Sequence, residues 1–332
     1  MKVRVLGCAV AGACLVVGAA MADEMQGQPL SLPLEVVSAA TAFNQYMTSA
    51  ARIDAGFSDG TTVAQALKTA SGYETSQMEE GMIAYGAVVA LQDQRFVEGV
   101  ERAGGRGDDR AAMAEQLIED PFAVTRVDGA DEAAGRIAAA LSNKASALLA
   151  AGDHVRTAAY SVQHQAWSKV MVGDAQARLA DVKLRSNERA SPSQSDDEAM
   201  LAALDDAAGG LADDDQARFT PIETRALALA AESVLGHAHG ADRDRLTPLF
   251  SDADSAECLR MSKLNLYQCM AVAGPQYEDI YCMGQHALTD TAKCVAGAAQ
   301  VPDAQMASLA TRPSGGALVP VVAHRSLQID PD

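Results

Sequence analysis

The chain has 332 residues, of which 48% are hydrophobic and only 4% are aromatic. Its 26 basic residues stand against 44 acidic ones, which gives a formal net charge of −18. A chain this acidic is repelled by nucleic acid and by anionic membrane surfaces, so neither is an expected partner. Abundant alanine with few aromatic side chains favours closely packed helices over sheets.

The first 22 residues have the pattern of a secretory signal peptide. Two basic residues, Lys2 and Arg4, precede an apolar stretch that runs to Ala20, and an A-x-A site ends at Ala22. A retained anchor is the alternative, but the apolar run is shorter than the roughly 20 residues that a membrane span requires. We therefore predict cleavage after Ala22 and a soluble, periplasmic or secreted mature protein without a membrane span.

Helical spacing of apolar residues follows the chain from about residue 33. Helices are predicted over 33–53, 62–72, 76–92, 93–103 and 108–119. Capping boxes, in which a hydroxyl and a later acid or amide satisfy free N–H groups, begin at Thr62, Ser76, Ser195 and Thr220. The segment 122–127 is the one short candidate strand, and a loop fits it equally well.

A helix over 131–151 is predicted to fold back as a second helix over 153–172. Gly152-Asp153 between them combines a helix stop with a new cap. The prediction is an all-α fold of antiparallel helical hairpins, arranged as a bundle or as an irregular α-solenoid. No residue set recurs at the period of roughly 34 to 45 residues that a regular helical repeat would show.

Composition divides the mature chain into regions. An acidic linker that contains Ser, Pro and Gly separates two helical regions and carries one short helix. A last segment rich in Pro, Gly and small side chains is predicted to be a poorly ordered tail. The predicted divisions are an N-terminal helical region (23–185), the linker (186–219), a C-terminal helical region with two disulfides (220–300) and the tail (301–332).

All cysteines after the predicted signal peptide lie in one stretch, as Cys258, Cys269, Cys282 and Cys294. In the oxidising compartment that a signal peptide implies, such cysteines form disulfides. A bridge between the first two or the last two would have to close a helix of about 16 Å, whereas a disulfide tolerates about 7 Å between Cα atoms.

The remaining choice depends on register, because facing residues of an antiparallel hairpin have position numbers with a constant sum. Pairing Cys258 with Cys294 and Cys269 with Cys282 gives sums of 552 and 551, while the rival pairing gives 540 and 563. We therefore predict an outer Cys258–Cys294 bridge and an inner Cys269–Cys282 bridge. The layout resembles helical-hairpin modules with two nested disulfides, which implies a stapled hairpin and no particular activity.

The spacing within the second arm predicts an irregularity. Eleven residues place Cys258 and Cys269 within about 20° of each other on an ideal helix, whereas twelve place Cys282 and Cys294 about 120° apart. The second helix must therefore bend or restart, and Thr289-Asp290 is a natural cap pair for this. Metal binding by the cysteines with His286 and redox-active thiols are the two alternatives to structural bridges.

Four histidines are candidate site residues. His237 and His239 in "GHAHG" could present two imidazoles to a metal, although a loop after a helix explains them more simply. His164 lies three residues before Trp167 and could line a pocket with it. His286 lies beside the predicted inner bridge. Known catalytic and phosphate-binding motifs are absent from the sequence, so no catalytic, cofactor-binding or metal-binding residue set and no cofactor are predicted.

The leading functional hypothesis is a non-enzymatic binding or scaffolding module of the cell envelope, in a periplasmic or secreted setting. Its expected partner is an envelope protein or a cell-wall component, bound in the helix grooves of the N-terminal region. The alternative is an envelope hydrolase with a site between the helical regions, which would require a histidine beside a carboxylate or hydroxyl in a cleft. A metal-binding carrier is the third hypothesis.

Overall fold

The computed structural model describes residues 30–207, 219–238, 240–299 and 327–330, and it confirms the all-α fold. The α-helices described are α1 (Leu34–Ala51), α2 (Gly60–Ser71), α3 (Thr75–Ala90), α4 (Gln94–Gly104), α5 (Asp108–Glu119), α6 (Ala130–Val162), α7 (Ala175–Arg185), α8 (Gln194–Ala207), α9 (Pro221–Leu235), α10 (Ala253–Val272), α11 (Gln276–Cys282) and α12 (Thr291–Ala298). A π-helix, Met283–Asp290, joins the last two, and short 3-10 helices occupy Pro121–Arg126, Trp167–Lys169 and Gly240–Phe250.

Side-chain caps set the starts of several helices. The predicted box at Thr220 is confirmed, because its hydroxyl accepts from the Glu223 N–H at 3.0 Å and the Glu223 carboxylate accepts from the Thr220 N–H at 2.8 Å. Pro221 occupies the first helical position of α9. In α2 the cap is Asp59 rather than Thr62, which instead supplies the reciprocal half of the box. That helix therefore begins two residues earlier than predicted.

The predicted hairpin at Gly152-Asp153 is wrong, because α6 is one continuous helix of 33 residues. A Cβ atom at Gly152 would lie only 2.4 Å from Thr289 Oγ1 and 3.0 Å from the Gly284 carbonyl oxygen. The glycine is required by the close approach of α6 to the π-helix, and it does not end the helix. The candidate strand over 122–127 is likewise a 3-10 helix.

One buried core draws on both predicted helical regions. The helix α9 lies at its centre, where it packs against α3, α4, α5 and α6, and every residue from Ala226 to Ala231 has no exposed surface. The predicted linker contains α8, which packs on α1. Among the residues that the structure describes, the helices before and after the change of composition at 186–219 therefore pack against one another.

The stapled hairpin is confirmed. Disulfides join Cys258 to Cys294 and Cys269 to Cys282, each with Cα atoms 5.6 Å apart. The first arm is α10, and the second comprises α11, the π-helix and α12. Twelve residues exceed three α-helical turns by about one residue, and a π turn takes up about one extra residue. The π-helix therefore brings Cys294 back to the same face of the second arm as Cys282. It ends at Asp290, where the restart was predicted.

Two short strands pair in parallel, β1 (Leu30–Pro33) with β2 (Leu327–Asp330). The second strand lies within the predicted tail, whose other residues are outside the described part, as are the predicted signal peptide and residues 208–218. Within the described ranges, no helix combines the length and the apolar character needed to cross a membrane.

Candidate functional sites

A cleft of about 310 Å³ opens between α1, α2 and α3, and we call it the N-terminal cleft. Its buried floor is apolar and aromatic, and the rings of Tyr46 and Tyr73 lie there with centroids 4.6 Å apart. Its rim carries amides and charges. The floor includes Phe43, Tyr46, Tyr73 and Met78, and the rim includes Gln45, Gln65, Lys68, Glu74 and Gln77.

The two tyrosines direct their hydroxyls away from the cleft into the protein. Tyr46 donates to the Ala70 carbonyl oxygen at 3.0 Å, and the Tyr73 hydroxyl lies 2.9 Å from Thr291 Oγ1. Burial raises the pKa of Tyr73 to about 12, so this phenol stays protonated at neutral pH. The cleft floor therefore presents ring carbons to a ligand, while the hydroxyls anchor the rings.

A buried lysine from the stapled hairpin supports this floor from below. Lys263 Nζ donates to the carbonyl oxygens of Ser71 at 2.9 Å and Tyr73 at 2.5 Å, and it lies 3.5 Å from the Tyr73 ring centroid. Burial lowers the pKa of Lys263 to about 7. Lys263 thus binds two carbonyl oxygens, at the last residue of α2 and just after it, and it ties the cleft to α10 without a covalent link.

A segment without regular secondary structure, 188–193, contributes Ala190 to one edge of the N-terminal cleft, and we call this segment the strap. The side-chain amide of Gln77 both donates to the Ala190 carbonyl and accepts from the Ala190 N–H, each at 2.7 Å. Arg189 forms ion pairs with Glu74 at 3.2 Å and Glu80 at 2.6 Å. The wall formed by α3 thus holds the backbone of Ala190 and the guanidinium group of Arg189.

A second cleft, of about 480 Å³, lies between α6 and α11, and we call it the tyrosine cleft. Tyr160 and Tyr281 meet edge to face with centroids 6.2 Å apart, and these residues remain 60% and 37% exposed. Asp153, Arg156 and Thr157 line the rest of the cleft. An aromatic pair thus lies beside an acid, a guanidinium group and a hydroxyl.

A chain of hydrogen bonds runs from the tyrosine cleft to His286. Arg156 donates to Gln285 Oε1 at 2.9 Å and pairs with Asp153, while Gln285 donates to Asp290 Oδ1 at 3.1 Å. His286 Nδ1 lies 2.7 Å from Asp290 Oδ2. Burial favours the neutral form of Asp290, but hydrogen bonds from His286 and Gln285 outweigh this and lower its pKa. The π-helix therefore aligns three polar side chains behind the arginine.

The His286–Asp290 pair supplies the imidazole and the carboxylate of a hydrolase site. A carboxylate on Nδ1 orients an imidazole as in acyl-transfer triads, but such a site also needs a nucleophile at the other ring nitrogen. Within the described chain, the ring of His286 is hydrogen-bonded to Asp290, and no hydroxyl or thiol binds its Nε2. The pair also has the ordinary spacing of a helical i,i+4 contact, and His286 lines neither of the two clefts.

The structure places two of the other predicted site residues, and the third lies outside its described part. His164 is exposed, the indole of half-buried Trp167 donates to Gln165 Oε1 at 2.5 Å, and neither residue lines the N-terminal cleft or the tyrosine cleft. His237 follows the end of α9, and His239 lies outside the described residues. Among described residues, no group of three or more His, Cys, Asp or Glu side chains could hold a metal ion.

The sequence did not indicate Lys263, Arg156 or the two exposed tyrosines as site residues. Arg156 meets Gln285 across 129 positions of the chain, and Lys263 meets Tyr73 across 190. Single-sequence periodicity carries no signal for contacts at such separation. The one local signal was the i,i+4 spacing of His286 and Asp290. Comparison of the chain with protein-family models, with curated proteins and with solved structures gave no match.

Proposed function

We propose that the protein is a non-enzymatic binding module of the cell envelope, and that its N-terminal cleft holds an extended, basic peptide segment of a partner protein. Two disulfides are typical of an oxidising, extracytoplasmic compartment, which supports this setting together with the predicted signal peptide. More specifically, we propose that the protein is located in the periplasm.

One observation carries the proposal: the Gln77 amide holds both backbone groups of Ala190. A side-chain amide with one donor and one acceptor aimed at a single residue is chemistry that recognises any extended backbone. The strap contributes only Ala190 to the cleft edge, so the exposed Gln65 and Lys68 remain accessible to a second segment, which would lie over the buried aromatic floor.

Charge supports the choice of a basic segment. Arg189 of the strap is paired with two carboxylates of the α3 wall, Glu74 and Glu80, and the whole chain has a formal net charge of −18. An acidic surface draws cationic segments and repels acidic ones. Because Glu74 and Glu80 are already paired with Arg189, the acidic surface as a whole, and not these two carboxylates, would draw the ligand. A ligand with apolar side chains for the floor and basic side chains between them therefore fits best.

The experiment uses the mature chain from Asp23 with both disulfides intact and a fluorescent peptide library of alternating apolar and basic residues. We expect peptides with Arg to bind at least tenfold more tightly than matched peptides with Glu, as measured by fluorescence polarisation. The substitution Gln65→Trp places a large ring at the exposed mouth of the cleft and should remove this binding without touching the core.

Gln94→Trp is the matched control, because this glutamine lies on the exposed face of α4 and pairs only locally with Glu98. It should bind the basic peptides as the unchanged protein does. Equal binding of Arg and Glu peptides, or full binding by the Gln65→Trp protein, would contradict the proposed function.

A further inference from the structure

We propose that the tyrosine cleft is a separate binding site for a neutral glycan, independent of the peptide site in the N-terminal cleft. It would take one or two sugar rings, with a ring face against a tyrosine and hydroxyls against the polar edge. The inference rests on the exposed aromatic pair, on the balance of charge beside it and on the rigidity of its supports.

The rings of Tyr160 and Tyr281 are exposed to solvent, whereas aromatic rings are usually packed in the hydrophobic core. Tyr160 keeps 60% of its surface exposed and Tyr281 keeps 37%, although the chain has few aromatic residues and most large apolar side chains among the described residues are buried. A tyrosine offers an apolar ring with a polar hydroxyl end, which suits ligands that are apolar on one face and wet at their edges. The C–H faces and peripheral hydroxyls of a pyranose ring have this character.

The polar edge of the cleft contains donors and acceptors but no net charge. Arg156 and Asp153 form an ion pair with side chains 34% and 48% exposed, and Thr157 adds a hydroxyl nearby. An anionic ligand would meet Asp153, and a cationic ligand would meet Arg156. A neutral polyol can accept from the guanidinium group and donate to the carboxylate at the same time.

The groups are held in place before any ligand arrives. Arg156 is fixed from behind by Gln285, which is itself bound to Asp290. Tyr281 directly precedes Cys282, whose bridge to Cys269 ties α11 to α10. A site on such rigid supports loses little conformational entropy on binding. The cleft volume of about 480 Å³ also lies in the range of small-molecule sites.

The test titrates the mature protein, disulfides intact, with N-acetylchitotriose and with maltotriose up to about 10 mM, since a Kd near 1 mM is still measurable. Calorimetry gives the affinity, and saturation-transfer NMR shows which sugar protons contact the protein. We expect saturable binding of at least one trisaccharide and at least tenfold weaker binding by Tyr160→Ala. Choline and a short tyrosine-containing peptide serve as competing ligands of other chemistry.

Two control variants isolate the site. Phe122→Ala removes an aromatic side chain that is 56% exposed on another part of the surface, and it should bind the sugar as the unchanged protein does. Gln65→Trp should also keep sugar binding, so a failure of the peptide proposal and a failure of this one are distinguishable. Absence of binding by both trisaccharides, binding of choline or the peptide alone, or full sugar binding by Tyr160→Ala would each overturn the inference.

Discussion

The tyrosine cleft and the N-terminal cleft are held together by different kinds of interaction. One wall of the tyrosine cleft comes from α11, a helix of seven residues whose last residue, Cys282, is bridged to Cys269 of α10. The N-terminal cleft is built on α1 and α3, of 18 and 16 residues, with caps, packing and hydrogen bonds but no cross-link between them. A helix of seven residues is not stable in isolation, and its bridge to α10 offsets this at the tyrosine cleft, whereas the N-terminal cleft depends on non-covalent contacts alone.

The largest effect should come from removing the outer disulfide. Its residues are 36 positions apart, and chain entropy assigns such a loop about 4 kcal/mol of stabilisation. The inner bridge closes 13 positions and should contribute about 3 kcal/mol. We expect the Cys258→Ser/Cys294→Ser protein to lose more free energy of unfolding than the Cys269→Ser/Cys282→Ser protein, measured by urea denaturation.

Amide hydrogen exchange would show whether each disulfide stabilises the stapled hairpin more than the helices of the N-terminal cleft. Amides of α11 and α12 should exchange faster in both double variants, while those of α1 should change less. If the inner pair proved the more costly to remove, or if exchange rose equally in α1, loop closure would not be the main role of the bridges.

The second effect concerns the contact of α6 with the stapled hairpin. Gly152→Ala would place a Cβ 2.4 Å from Thr289 Oγ1, and overpacking of this kind costs about 1 to 3 kcal/mol. Gly297→Ala is the matched control, because this exposed helical glycine has no atom within 4 Å of the added Cβ. The control should be neutral or gain up to about 1 kcal/mol from helix propensity. A Gly152→Ala protein as stable as the unchanged one in thermal unfolding would refute the close contact.

The smallest effect concerns Lys263, which lies beneath the floor of the N-terminal cleft. Burial lowers its pKa in the folded protein to about 7, whereas an unfolded lysine keeps its proton to about pH 10.4. Folding therefore releases a proton within this window, and stability should rise as the pH increases from about 7 towards 10. The slope is at most about 1.4 kcal/mol per pH unit.

Lys263→Met removes this titration and should flatten the rise, as measured by urea unfolding at pH 7, 8 and 9. Tyr46 and Tyr73 do not disturb the comparison, because burial raises the pKa of both phenols above this range. An identical pH dependence in the two proteins would mean that Lys263 keeps its proton in the folded state.

Local chemistry and register were sufficient to predict much of the fold. The pairing of the cysteines followed from a constant sum, and the start of α9 followed from Thr220 and Glu223, because each depends only on positions along the chain. Gly152 shows where this reasoning ends. In sequence it has the pattern of a stop, but its role depends on a contact with Gly284, 132 positions later along the sequence.

The candidate sites were less predictable for the same reason. The expectation of a groove in the N-terminal region agrees with the cleft between α1, α2 and α3, because amphipathic helices leave grooves where they meet. The pairing of Arg156 with Gln285 depends on how α6 crosses the π-helix, which no helical periodicity specifies. Lys263 likewise has the pattern of an ordinary surface lysine until its position beneath Tyr73 is known.

The π-helix gives the hairpin an asymmetry of a single residue. The first arm spaces its cysteines by eleven positions and the second by twelve, so one deletion within 283–290 would make the arms equal and allow an ordinary α-helix between the bridges. Such a symmetric hairpin could keep both disulfides, but the deletion would rotate Gln285 and Asp290 relative to Arg156. The extra residue thus serves the alignment of these side chains rather than the closure of the two disulfides.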